Sequence, residues 1–118
     1  MPPLTGGAYA NIDRATAERF RKGHYPIDAT FDLHGMRRDQ AHRALSDFLA
    51  GQYERKSRCV LVITGKGRCG EGDRGVLRDA LPQWLAAPEL RGAVLAFDAA
   101  QPRHGGAGAY YILLRRRR

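Results

Sequence analysis

Cysteine is scarce in this chain. Only Cys59 and Cys69 occur among 118 residues, so no disulfide framework staples the fold, and their spacing matches no zinc motif. A reducing, cytoplasmic compartment is the expectation that follows. Long hydrophobic runs are missing as well: none approaches the roughly 18 residues that a membrane span needs. The opening Met-Pro-Pro-Leu-Thr-Gly-Gly has no basic stretch followed by an apolar one, so neither a secretory signal nor a membrane partner is expected. Acidic residues are few, 12 against 20 Lys and Arg, which leaves a formal net charge of +8 and a pI near 10.2. That deficit favours an anionic partner, nucleic acid first. Lysine is rare too, with 3 against 17 arginines. Arginine suits phosphate because its planar fork pairs with two oxygens. A GC-rich coding sequence would produce the same excess, so composition alone says only "polyanion".

What is present is enough for one domain. Apolar residues make up 43% of the chain, sufficient for a single core and above the disordered range. Residues 1–28 read as an N-terminal arm, Pro/Gly-rich at its start, with a short helix over 14–22 capped by Asp13, ended by Gly23 and anchored by Ile12 and Phe20. The arm is nearly neutral. Residues 29–118 hold 16 basic and 9 acidic side chains, and four of the basic ones are the terminal run Arg115 to Arg118.

The main domain alternates strand and helix patterns. Residues 29–33 alternate polar and apolar, placing Phe31 and Leu33 on one strand face. Ala41, Ala44, Leu45, Phe48 and Leu49 recur at helical spacing over 37–54. Residues 58–64 form a continuous apolar run suited to a central strand. Residues 65–75 hold five glycines and read as a loop. A second helix starts near Val76, and Pro82 predicts a break or kink within it. Residues 93–97 and 109–115 read as strands, separated by a second Gly-rich loop. The order β-α-β-α-β-β predicts a two-layer α/β domain with a mixed four-stranded sheet, its last two strands antiparallel.

Three segments carry unusual chemistry. In Asp32-Leu33-His34-Gly35, residues two apart share a strand face, so Asp32 and His34 project together. A carboxylate beside an imidazole can fix its tautomer and raise its basicity. Thr64-Gly65-Lys66-Gly67-Arg68 follows the apolar strand and offers backbone amides and two cations to a phosphate. It lacks the spacing of a nucleoside-triphosphate loop or a dinucleotide fingerprint. Arg103-His104-Gly105-Gly106-Ala107-Gly108 precedes the last strand. Each segment alone reads as readily as a helix cap, a basic surface turn or an incidental histidine. Their placement changes this: parallel strands gather ligands at their C-terminal ends, and the first two segments end parallel neighbours while the third opens an antiparallel strand at the same edge. The topology brings all three to one basic cleft. Cys69, beside Arg68, reads as an unremarkable loop cysteine, with a low-pKa thiol as the sharper alternative.

Together Asp32-Leu33-His34-Gly35, Thr64-Gly65-Lys66-Gly67 and His104-Gly105-Gly106-Ala107-Gly108-Ala109-Tyr110, closed by Leu113-Leu114-Arg115, resemble the three signatures of the Smr (small MutS-related) domain over residues 29–115, in the stand-alone bacterial form. The resemblance implies a fold similar to the C-terminal domain of translation initiation factor three. It also implies nucleic-acid endonuclease activity, DNA nicking or RNA cleavage, with Asp32, His34 and His104 catalytic. Thr64, Gly65, Lys66, Gly67, Arg68, Arg103, Gly105, Gly106 and Gly108 would bind the nucleic acid. Two departures stand out: Arg37 occupies the position where relatives cap the first helix with Thr or Ser, and the N-terminal arm is short.

For RNA, no cofactor is required. His34, oriented by Asp32, is the candidate base for the 2′-OH and His104 the candidate acid, with Lys66, Arg68, Arg103 and loop amides facing the phosphorane charge. For DNA, water must attack, and a divalent metal (Mg or Mn) on Asp32 is the expected aid, with Asp73 and Asp98 as helpers. The alternative is a non-catalytic module binding branched DNA, structured RNA or ribosomes. A monomer is expected; an oligomeric scaffold would have only exposed Tyr110 or Tyr111 to use. The terminal arginines leave the last strand at the end opposite the cleft.

Overall fold

The computed structural model describes residues 12–65 and 76–116. Helix α1, Arg14–Arg21, starts where the Asp13 carboxylate accepts the Thr16 N–H at 3.1 Å, satisfying one of the orphan donors of a helix start. It buries Phe20. Strand β1, Ala29–Asp32, is followed by helix α2, Arg38–Glu54, whose N-cap residue Arg37 makes no side-chain cap; Asp39 in the first turn faces the positive end of the helix dipole instead. Strand β2, Cys59–Ile63, leads through the first Gly-rich segment to helix α3, Val76–Ala86. A single turn, α4 (Pro88–Arg91), precedes strand β3 (Val94–Ala99). Two 3₁₀ turns, Pro102–His104 and Gly106–Gly108, then lead into strand β4, Ala109–Leu114.

The sheet order is β1-β2-β4-β3. β2 pairs in parallel with β1 and antiparallel with β4, and β4 pairs antiparallel with β3. The expected mixed sheet and antiparallel last pair are therefore present. β2 is central, which is why its apolar run is continuous. One sheet face carries the main core, where Leu45, Leu49, Leu81, Leu85 and Leu90 from α2, α3 and α4 meet Val60, Val62, Phe97 and Ile112. Each such leucine contributes roughly 1.5–3 kcal/mol by leaving water. The other face is covered only in part, by α1 and the chain after it: Phe20, Ile12, Tyr25 and Ile27 lie against Leu61, Tyr111 and Leu113. Thr30 and Asp32, at the β1 edge, remain exposed. Among the described residues no helix is long and apolar enough to cross a membrane.

Two expectations are corrected here. Pro82 does not break the second helix, which runs continuously from Val76 to Ala86. Proline lacks the N–H that would bond Arg78 O one turn back, and the Tyr110 hydroxyl donates to that carbonyl instead, at 3.3 Å. Burial holds the Tyr110 pKa above its usual value, which keeps the donor protonated. Tyr111 is not an exposed scaffold residue either: it is 1% exposed and belongs to the second core cluster, while Tyr110 is half-buried. Cys69 and Asp73 lie outside the described residues.

Cys59 shows what the interior does to a thiol. Burial, with the Asp28 carboxylate adding to it, pushes its pKa up to about 12 from the usual value near 9.0. The folded thiol stays neutral where the unfolded one ionises. Its contribution to stability is therefore present below pH 9.0 and lost as the pH rises towards about 12. In a Cys69→Ser background, a thiol reagent at pH 8 is expected to label Cys59 only as fast as the chain unfolds. Burst labelling of the native chain would contradict this.

Candidate active site

The ladder between β1 and β2 continues one residue past β1, with Leu33 N–H donating to Ile63 O at 2.7 Å. Leu33 is fully buried on the helix-covered face, whereas Asp32 and His34 on either side of it are exposed. The sequence pairing of carboxylate and imidazole takes a different form from the expected one. Asp32 Oδ1 accepts the backbone N–H of His34 at 2.8 Å rather than a ring nitrogen. The carboxylate thus sets the His34 backbone as the chain turns at Gly35, and orients the ring indirectly.

Gly65 comes next to it. Its φ is +82°, a region that side chains rarely adopt, and a Cβ there would stand 3.4 Å from His34 Cδ2. Glycine lets the turn after β2 lie against the imidazole. Thr64 is buried, and the N–H groups of Thr64 and Gly65 both donate to Gly108 O, at 2.8 and 3.0 Å. The Thr64 hydroxyl lies 3.0 Å from Gly65 O and 3.3 Å from the same Gly108 O. The Gly108 carbonyl is therefore the hub where the second and third segments join, with His34 of the first resting on Gly65. Asp32, Ile63 and Ala109 stand in register across the sheet, so the start of the first segment and the end of the third lie two strand spacings apart, about 10 Å.

The third segment is tightly wound. His104 N–H and Gly106 N–H donate to Gln101 O, Gly105 N–H to Pro102 O, and Gly108 N–H to Gly105 O. With the Thr64 and Gly65 amides, these donors are committed within the protein. The Thr64 and Gly65 amides bridge to the third segment, and those of His104, Gly105, Gly106 and Gly108 close turns within it. Arg103 does not turn to the cleft with its recorded contact: its Nη2 donates to Lys22 O at 2.7 Å, at the end of α1. Gln101 Nε2 reaches Arg21 O in the same way, at 3.0 Å. His104 is half-buried, and its Nδ1 is hydrogen-bonded to the Tyr111 hydroxyl. Gln101 was not among the residues that sequence patterns single out, and Tyr111 was read there only as an exposed scaffold residue; the register of β4 brings Tyr111 to this loop. Asp98 Oδ1 accepts the N–H of Ala99. Among the described residues no three His, Cys, Asp or Glu side chains gather as metal ligands. Lys66, Gly67 and Arg68 lie outside the described residues.

The Smr domain profile matches residues 31–115. The chain belongs to the Smr family. Among its relatives, the ribosome rescue factor SmrB of Aliivibrio fischeri (strain MJ11) is 33% identical over 105 residues, covering 88% of this chain and 54% of SmrB. The probable DNA endonuclease SmrA of Escherichia coli (strain K12) is 29% identical over 105 residues, covering 89% and 54%. This Smr chain spans about half the length of the curated relatives it matches. Its fold is similar to the crystal structure of YdaL, a stand-alone small MutS-related protein from Escherichia coli, with a TM-score of 0.75 and 28% identity over 91% of this chain and 79% of YdaL. The Smr match contains all three segments that the structure joins around Gly108.

Proposed function

We propose that this Smr-family chain is a nucleic-acid endonuclease working at the C-terminal edge of β1 and β2, with structured or ribosome-associated RNA as its substrate class and the cytoplasm as its compartment. The observation that carries the reading is the junction at Gly108: three chemically loaded segments, far apart in sequence, meet at the C-terminal edge of β1 and β2. The names of the relatives, a ribosome rescue factor and a probable DNA endonuclease, support the same class.

On RNA the reaction balances with side chains alone. His34 takes the 2′-OH proton, the 2′ oxygen bonds to phosphorus, the bond to the 5′ oxygen breaks, and His104 gives that oxygen a proton. The products are a 2′,3′-cyclic phosphate and a 5′-OH. Lys66 and Arg68 are the proposed side chains for the phosphorane charge. On DNA there is no 2′-OH, and a divalent metal at Asp32 would supply an activated water. Incubating labelled RNA beside nicked, branched and single-stranded DNA, with and without EDTA, tests the reading. Cyclic phosphate ends formed in EDTA support the RNA route. Tight, salt-sensitive binding of every substrate without cleavage would leave a binding module in its place.

Arg115 belongs to a different part of the surface. Arg115 still extends the sheet, its N–H bonding Ala93 O at 2.8 Å and its Nε bonding Arg91 O at 3.2 Å. This is the pole opposite the candidate site. Deleting residues 116–118 is expected to weaken RNA binding and to reduce the slope of log affinity against log salt by up to about 2, at roughly 0.7 per phosphate contact on a single strand. Single-turnover cleavage at saturating enzyme is expected to stay within about twofold of the full chain; a much larger loss would place the tail at the reacting phosphate.

A further inference from the structure

We infer that Tyr111 is the positioning residue that decides which nitrogen of His104 exchanges protons. The inference rests on the reading of His104 as the acid. Tyr111 is 1% exposed, with its ring in the second core cluster. Its edge contacts join Phe20 of α1, at 5.9 Å between centroids, to His104, at 5.4 Å. A tyrosine so buried needs partners for its hydroxyl. It has two, both from the loop before β4: the Gln101 N–H donates to it at 3.1 Å, and His104 Nδ1 lies against it.

The hydroxyl oxygen has two lone pairs and one hydrogen. Gln101 N–H takes one lone pair. When the imidazole is neutral with its proton on Nε2, the hydroxyl hydrogen is donated to Nδ1. When the ring carries both protons, Nδ1–H donates to the second lone pair. After the acid step, in which Nε2–H passes to the leaving oxygen, the ring retains Nδ1–H in that same bond. In every state Nδ1 is occupied, and Nε2 is the nitrogen left to meet the substrate. A ring held in this way cannot flip without losing the bond. Gln101 and Arg103 tie the same loop to the carbonyls of Arg21 and Lys22, so the hydroxyl is itself held in place. The core of the sheet thus fixes the geometry of a group at its surface.

Tyr111→Phe removes the hydroxyl and keeps the ring. With RNA as substrate, kcat is expected to fall about ten- to a hundredfold with KM within about twofold, less than the hundredfold or more lost with a general acid itself. The decisive readout does not use activity: ¹⁵N shifts of the His104 ring, recorded on the neutral imidazole. In the native protein the Nδ1 shift should carry the displacement of a hydrogen-bonded nitrogen, and Tyr111→Phe should move it towards the value of a free imidazole. A native Nδ1 shift already at the free-imidazole value overturns the inference with no variant needed, which covers the case of a variant that fails to fold. An unchanged spectrum in a folded Tyr111→Phe protein overturns it too. A changed spectrum with unchanged cleavage overturns it by another route, through the acid assignment, and His104→Ala would then cleave RNA at the native rate. A changed spectrum with the expected loss of kcat supports both.

Discussion

His34→Ala and His104→Ala are each expected to slow single-turnover RNA cleavage by about 10²- to 10⁴-fold, the range for a positioned acid or base, while RNA binding changes by no more than about threefold. Measuring both quantities on the same labelled substrate checks this. Asp32 separates two versions of the chemistry. Were the carboxylate the direct partner of the imidazole, Asp32→Asn would be nearly as damaging as His34→Ala. The structure gives Oδ1 the His34 backbone N–H, at 2.8 Å, and an asparagine side chain keeps an oxygen at that place. Asp32→Asn is therefore expected to lose no more than about tenfold on RNA, and Asp32→Ala considerably more, because the turn into His34 then lacks its acceptor. Cleavage retained in the Asp32→Ala/His34→Ala double variant would remove the site assignment altogether. On DNA the order should differ, since a carboxylate serving a metal cannot be replaced by an amide without loss of charge.

The periodic part of this fold was legible in its residues. β2 is a continuous apolar run because it is central, and α2 follows the spacing of Ala41, Leu45 and Leu49. Two features escaped for physical reasons. The one-turn helix α4 is too short to show a period and is marked only by Pro88 at its start. Pro82 looked like a helix breaker because the donor that meets the carbonyl it leaves unpaired, Arg78 O, is Tyr110, from a strand 32 residues after Arg78 in sequence. At the site, topology alone was enough to bring Asp32, Thr64 and Gly108 to one edge. The hydrogen bonds there were not legible. Arg103 read as a phosphate ligand from its charge, yet its contact is with a helix end 81 residues earlier. The glycines read as amide donors for an anion; among the described residues the Gly105, Gly106 and Gly108 amides close turns and that of Gly65 bonds Gly108 O. A residue's type announces what it can do; only the three-dimensional neighbourhood decides which partner it has already taken.

That neighbourhood makes Gly23 the position where a single methyl group should cost most outside the main core. Gly23 ends α1 with φ +76°, and a Cβ there would collide with the Tyr111 hydroxyl and lie 2.7 Å from Arg103 Nη2. Alanine in the left-handed region costs roughly 1–2 kcal/mol, and forcing a methyl into an occupied space typically adds about 1–3 kcal/mol. Gly23→Ala is therefore expected to destabilise the chain by about 2–5 kcal/mol, read from denaturant unfolding with an unchanged m-value. Gly51 provides the contrast. It lies within α2, where a Cβ meets nothing within 4 Å, and Gly51→Ala should stabilise by about 0.5–1 kcal/mol through helix propensity. The two substitutions add the same atom and should move stability in opposite directions. Gly23→Ala should also slow RNA cleavage beyond its effect on folding, measured where the variant is still fully folded. The methyl displaces two of the groups, Tyr111 hydroxyl and Arg103 guanidinium, through which α1 and the sheet hold the His104 loop. Native cleavage by a destabilised but folded Gly23→Ala protein would show that the loop keeps its geometry without α1, and that the helix serves stability alone.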